Sequence, residues 1–369
     1  MSIDTRKDGE IPGPAAAERA DTISNTALYK RPKPRTVGEY VMEVLKTGNP
    51  LAWGAMKAME PRFEFETRYT PEGADPDPVL KEPERYGLGD YKQRSLHLDT
   101  GESVTCWYKA AQPGYPTIAY CHGNAGSLDS RSAILKELTD RGFGLIIAAY
   151  PGFKGHKPRP GIDASETACN ATGHAMVRYL VNTKRLDMDK IVLFGESLGG
   201  AVALRTALTI EKGIPELNYP PMKVPAVICF NTFTSLVRRA REQFPMLPAH
   251  ALMSNRFESD KIIKDIQAPI LLMHGREDEY TPCRHSVQLR EASGGKATLQ
   301  LIDCVTHAAT FPGTERKDME QVRRVIDCAQ QYLHEQKLCP PPPAREAQPP
   351  ETWQKGVRNR AAGSDLPEF

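Results

Sequence analysis

The stretch DKIVLFGESLGGAVAL, residues 189–204, decides the architecture. Its first half holds an apolar run, Ile191 to Phe194, of the kind that fills a strand covered on both faces. Its second half, from Leu198, is a helix-friendly run. Ser197 stands between the two, with Gly195 and Gly199 two positions to either side and Gly200 beyond. A strand, a G-x-S-x-G turn and a helix form the setting in which a serine hydroxyl is held clear of a sheet on a strained backbone. The helix that follows aims its N-terminal N–H groups at the same place. A short motif of this kind recurs by chance, and a glycine turn capped by a serine is the bland alternative. The flanking strand and helix favour a reactive serine.

Outward from this stretch the pattern is rhythmic. Strand-sized apolar runs recur at TIAYCHG (117–123), GLIIAAY (144–150), AVICF (226–230) and ILLMHG (270–275), with a last one in ATLQLID (297–303). Most are continuous rather than alternating, as in strands buried on both faces. Helical spacing predicts helices over 163–183, 198–210, 283–292 and 317–336. KQRSLHLDTGESVTCWYKA (92–110) reads as two strands joined by a hairpin at Asp99-Thr100-Gly101. Strands alternating with helices imply an α/β fold: a mostly parallel sheet with helices on both faces. We expect one domain over 91–338, preceded by a helical and irregular extension over 36–90. Polar, proline-punctuated tails over 1–35 and 339–369 are expected to be disordered.

The 369 residues are 25% charged and 40% apolar, with a net charge of +2. That balance gives no reason to expect a nucleic-acid partner. Apolar runs fall short of the roughly 20 residues of a membrane helix, and the N-terminus lacks a signal-peptide core. Eight cysteines without repeated spacing suit a reduced, cytoplasmic protein. No His/Cys cluster has zinc spacing and no phosphate-binding glycine loop is present, so neither a metal nor a cofactor is expected.

A serine hydroxyl needs a base, and the base an orienting acid. In this architecture they follow the serine in the order acid, then histidine. Asp278, in PILLMHGREDEYTP, lies just past a strand end, with Glu277 and Glu279 as adjacent rivals. His307, in LIDCVTHAAT, lies after the last strand. His285 and His334 fall on predicted helices and read as surface residues. His122, in the AYCHGNAGS turn, reads as a turn-stabilising side chain. Backbone N–H groups at that turn and at Leu198 are placed to hold an oxyanion.

Together YCHGNAGS, YPGFKG, FGESLGGAVA, NTFTSLVRRAREQFPMLP, APILLMHGREDEYTP and THAAT resemble the α/β-hydrolase superfamily, and within it the Bem46-like branch of ABHD13, ABHD12 and ABHD17 type. The resemblance spans about 95–336. It implies Ser197 as nucleophile, Asp278 as acid, His307 as base, and Asn124 and Leu198 as oxyanion donors. It also implies cofactor-free cleavage of carboxylic esters or thioesters, often of acyl lipids or acylated proteins. Thr306 before His307 replaces the usual glycine, YPGFKGHKPRPG departs from the usual loop, and the branch's frequent N-terminal membrane helix is missing.

The segment 233–267 is too short for a large cap domain. Within it Phe244, Met246 and Leu247 suit an acyl pocket or ordinary core equally well. The one-sided apolar pattern of 37–60 favours docking on the domain over peripheral membrane contact. A non-catalytic scaffold built on the same fold is the alternative to a serine esterase acting on a small-molecule or lipid acyl ester. An intact Ser197, Asp278 and His307 argue for the enzyme.

Overall fold

A computed structural model describes residues 82–153, 164–214, 219–243, 253–310 and 316–343. The expected tail over 1–35, the 37–60 face, the pocket candidates Phe244, Met246 and Leu247, and most of the C-terminal tail lie outside the described residues.

The hairpin reading holds. Strands β1 (Lys92–His97) and β2 (Ser103–Lys109) pair antiparallel around the Asp99–Gly101 turn. Then follow β3 (Thr117–Cys121), α1 (Ser132–Asp140), β4 (Gly144–Ala148), α2 (Glu166–Arg178), β5 (Ile191–Glu196) and α3 (Leu198–Lys212). The chain continues through β6 (Val227–Phe230), α4 (Leu236–Gln243), α5 (Ser259–Ile262), β7 (Ile270–Gly275), α6 (Arg284–Ala292), β8 (Thr298–Ile302) and α7 (Arg316–Glu335). The eight strands form one sheet in the order β1-β2-β4-β3-β5-β6-β7-β8, parallel from β4 onward. β5 lies in its middle, so the turn after it opens at the centre of the sheet's C-terminal edge.

The continuous apolar strands are explained by two cores. Along β5, Ile191 and Leu193 join one cluster, with Met176 of α2 and Val202 and Leu204 of α3. Val192 and Phe194 point the other way, into a cluster with Ile134 of α1 and Val325 and Ile326 of α7. Successive strand side chains face opposite sides, and here both sides are covered. Each fully buried Leu, Ile or Phe contributes about 1.5–3 kcal/mol.

α2 is shorter than the predicted 163–183. It starts at Glu166, where the Ser165 hydroxyl accepts from the Ala168 N–H at 3.1 Å, and passes into a π turn over Tyr179–Thr183. The first residues of the expected tail pack against the domain. Cys339 is buried beside α7, and Gln330 Nε2 donates to the carbonyls of Pro340 and Pro341.

Candidate active site

The turn between β5 and α3 has the strain anticipated from its glycines. Ser197 sits at φ 52° and ψ −115°, a region that side chains with a Cβ avoid. Its N–H donates to the Phe230 carbonyl at 2.8 Å, and its own carbonyl accepts from Thr232 Oγ1 at 2.8 Å and from the Gly200 N–H at 2.9 Å. Small neighbours are required: a Cβ on Gly195 would collide with the Gly199 carbonyl, and one on Gly199 with the Cys121 carbonyl of β3. Ser197 is half-buried, and Leu198 behind it is buried in the first turn of α3.

Two strands along, Asp278 follows β7 and His307 follows β8. Asp278 Oδ2 and His307 Nδ1 are 2.7 Å apart. The other carboxylate oxygen accepts from the backbone N–H groups of Tyr280 and Thr281 at 2.9 and 2.7 Å, so the side chain caps its own turn. Burial opposes ionisation here. Hydrogen bonds from His274 and His307, the charge of His307 and the Thr281 N–H outweigh it, holding the Asp278 carboxyl down to about 2. The rivals point elsewhere: Glu277 Oε2 accepts from the Val305 N–H at 2.9 Å, and Glu279 is exposed. The His307 ring lies 5.5 Å from that of Tyr280, centroid to centroid.

Three residues tie the site together that were not read from the sequence. His274, at the end of β7, is fully buried. Its Nε2–H donates to the Thr281 carbonyl at 2.7 Å and lies 3.3 Å from Asp278 Oδ2, while Nδ1 sits 2.7 Å from Ser286 Oγ. Asn231, after β6, adopts φ 50°. Its amide donates to the Thr306 carbonyl at 3.1 Å and its oxygen accepts from the Gly275 N–H at 2.8 Å, joining the β7 and β8 loops. Gln321 of α7 accepts from the Thr306 N–H and hydroxyl at 2.9 and 3.1 Å. The periodicity of β7 marked His274 as a strand residue; nothing in the sequence singled out the other two.

At the β3 end, Asn124 is half-buried in the expected turn. His122 is buried, with its ring stacked on Tyr150 at 4.1 Å and its Nδ1–H donating to the Gly123 carbonyl at 2.8 Å. Burial and the nearby Arg131 charge push its pKa down to about 3, so it is neutral. His334 is exposed, as expected, but the surface reading of His285 is corrected. His285 is fully buried on the inner face of α6, with Nε2 2.9 Å from Glu242 Oε2 and Nδ1 3.1 Å from Thr234 Oγ1. It precedes buried Leu289 by one helical turn, which puts it on the packed side. Among the described residues no group of three or more His, Cys, Asp or Glu is arranged to hold a metal ion, and no helix is long and apolar enough to cross a membrane.

Residues 116–251 match the family model described as alpha/beta hydrolase fold. Over 175 residues the chain is 29% identical to the Bem46 protein of Schizosaccharomyces pombe, covering 45% of this chain and 52% of that protein. It is 26% identical to the zebrafish (Danio rerio) lysophosphatidylserine lipase ABHD12 over 209 residues, 52% of this chain and 51% of that one. An uncharacterized Mycobacterium tuberculosis protein is 28% identical over 244 residues, 65% of this chain and 78% of its own length. A solved α/β hydrolase from Vibrio vulnificus superposes with a TM-score of 0.54 at 18% identity, over 78% of this chain and 94% of that one.

Proposed function

We propose, for a chain that belongs to the α/β-hydrolase superfamily in its Bem46-like branch, that it is a serine hydrolase cleaving carboxylic ester or thioester bonds through an acyl-enzyme. The observation that carries the proposal is the 2.7 Å bond between Asp278 Oδ2 and His307 Nδ1. It lies at the same edge of the sheet as the strained Ser197 turn. A carboxylate takes only a donor, so Nδ1 carries the proton and the Nε2 lone pair is left to act as base. Nε2 takes the Ser197 proton as Oγ attacks the acyl carbon, and the imidazolium that forms is stabilised by the ionised Asp278. The oxyanion accepts from the backbone N–H groups of Asn124 and Leu198. His307 then protonates the leaving alcohol or thiol, and water repeats the sequence to release the acid.

An acyl lipid or acylated small molecule is the proposed substrate class, supported by the lipase name of the zebrafish relative. The test is labelling with a fluorophosphonate, followed by turnover of short- and long-chain acyl esters. The wild type should label and hydrolyse, and Ser197→Ala should do neither. A folded wild type that takes no label would favour a scaffold on the same fold.

A further inference from the structure

We propose that Arg131, Glu196 and Tyr120 are positioning residues that lock the loop carrying one oxyanion donor onto the nucleophile turn. The proposal rests on the reading of Ser197 as nucleophile. Glu196 is the residue immediately before Ser197 and is 2% exposed. A carboxylate buried so deeply needs partners, and it has them on both oxygens. Oε1 accepts from Arg131 Nη2 at 3.0 Å, and Oε2 accepts from the Tyr120 hydroxyl at 2.8 Å with Arg131 Nε 3.4 Å away.

The other edge of the guanidinium does something different. Arg131 is 0% exposed, and its Nη1 donates to the carbonyls of Ala125 and Ser127, the latter at 3.2 Å. These residues follow Asn124 in a loop that is neither helix nor strand. One planar group therefore has one edge on the residue beside the nucleophile and the other on the residues beside a proposed oxyanion donor. Gly123 closes against the same carboxylate, where an added Cβ would stand 2.6 Å from Glu196 Oε1. Tyr120 comes from β3, its ring stacked on Phe194 of β5 at 5.1 Å. The end of β3, the loop after it and the end of β5 thus converge on one ion pair.

Stability alone does not explain the choice of residues. Apolar side chains of similar volume commonly serve a core as well as a buried ion pair does. They do not hold a loop in one orientation, whereas a two-edged guanidinium fixes direction as well as distance. Oxyanion stabilisation is sensitive to that direction, because the donor must meet the oxygen where charge develops and not where the ground-state carbonyl lies. Loosening the bridge should therefore weaken transition-state binding and leave ground-state binding nearly untouched.

The experiment uses the full chain with Glu196→Gln, Arg131→Lys and Tyr120→Phe. Turnover of a short acyl ester and inhibition by a trifluoromethyl ketone, which forms a tetrahedral adduct, are measured well below each melting midpoint. For Glu196→Gln and Arg131→Lys, kcat should fall by about 10- to 100-fold with KM within about twofold. Affinity for the ketone should weaken by the same factor as kcat. The pH midpoint of the rate should not move, since His307 and Asp278 are unaltered. Folded variants that melt lower yet keep kcat within about threefold of wild type would reduce the bridge to a purely structural role. Should both charge variants fail to fold, Tyr120→Phe decides. It removes one hydrogen bond, and a several-fold loss of kcat and ketone affinity supports the bridge, while unchanged values overturn it. A wild type that takes no fluorophosphonate overturns the nucleophile reading as well; a labelled wild type with unaffected variants overturns the bridge alone.

Discussion

Ser197 is held where a residue with a Cβ is unwelcome, at φ 52° and ψ −115°. A backbone of this kind costs about 1–3 kcal/mol, which the hydrogen bonds of its N–H and carbonyl to Phe230 and Thr232 offset. Ser197→Gly should relieve the strain and abolish turnover together. We expect its melting temperature to rise by about 2–4 °C for each kcal/mol recovered; a lower melting temperature by calorimetry would show that the hydroxyl itself is needed for folding. Asp278 sits at the same scale. Its carboxyl titrates at about 2 in the fold against an ordinary 3.8. A depressed carboxyl stabilises the protein above its unfolded pKa, and the contribution disappears as pH falls from about 4 through 2, amounting to about 2 kcal/mol at neutrality. The stability gap between wild type and Asp278→Asn in urea titrations should narrow over that window. A gap that stays constant from pH 7 to pH 2 would contradict the pairing. The same substitution should lower kcat by about 10⁴-fold, whereas Glu277→Gln, whose carboxylate holds the Val305 N–H and not His307, should leave kcat nearly intact.

At the scale of elements, the site depends on how loops at the sheet edge are joined. Asn231 holds Gly275 at the end of β7 and Thr306 before His307, from a left-handed backbone that asparagine tolerates better than most residues. Asn231→Ala removes the acceptor of the buried Gly275 N–H and leaves the Thr306 carbonyl with the Ala309 N–H alone, which should destabilise by about 1–3 kcal/mol. Chemical denaturation checks this, and a loss below about 0.5 kcal/mol would mean that the loops hold their positions unaided. Before His307, Thr306 is held by Gln321, which secures both its N–H and its hydroxyl. α7 therefore anchors the loop that carries His307.

At the scale of the molecule, the described residues form one sheet with a core on each face, and packing continues past the end of α7. Cys339 is buried and the carbonyls of Pro340 and Pro341 satisfy Gln330. A chain ending at 338 should therefore be less stable than one ending at 343 by about 1–3 kcal/mol, from a lost buried side chain and an unpaired amide. Equal melting temperatures for the two would show that this segment contributes nothing.

The order of strands and helices and the addresses of Ser197, Asp278 and His307 were determined by local sequence. Apolar period, glycine spacing and chain order are properties of neighbours along the chain. The sequence put Asp278 ahead of the adjacent Glu277 and Glu279, but the contact itself belongs to the tertiary structure, because three neighbouring carboxylates differ in where the turn after β7 aims them and Asp278 is the one that meets His307. His285 was misread for a related reason: a polar residue on a helix looks like surface until the helix is packed and Glu242 and Thr234 come to meet it. Arg131, Asn231 and Gln321 carry no local signal at all. Glu196, Gly275 and Thr306, which they hold in turn, lie 65, 44 and 15 positions away in the chain, and a hydrogen bond between distant residues is decided only when the sheet brings its strand ends together.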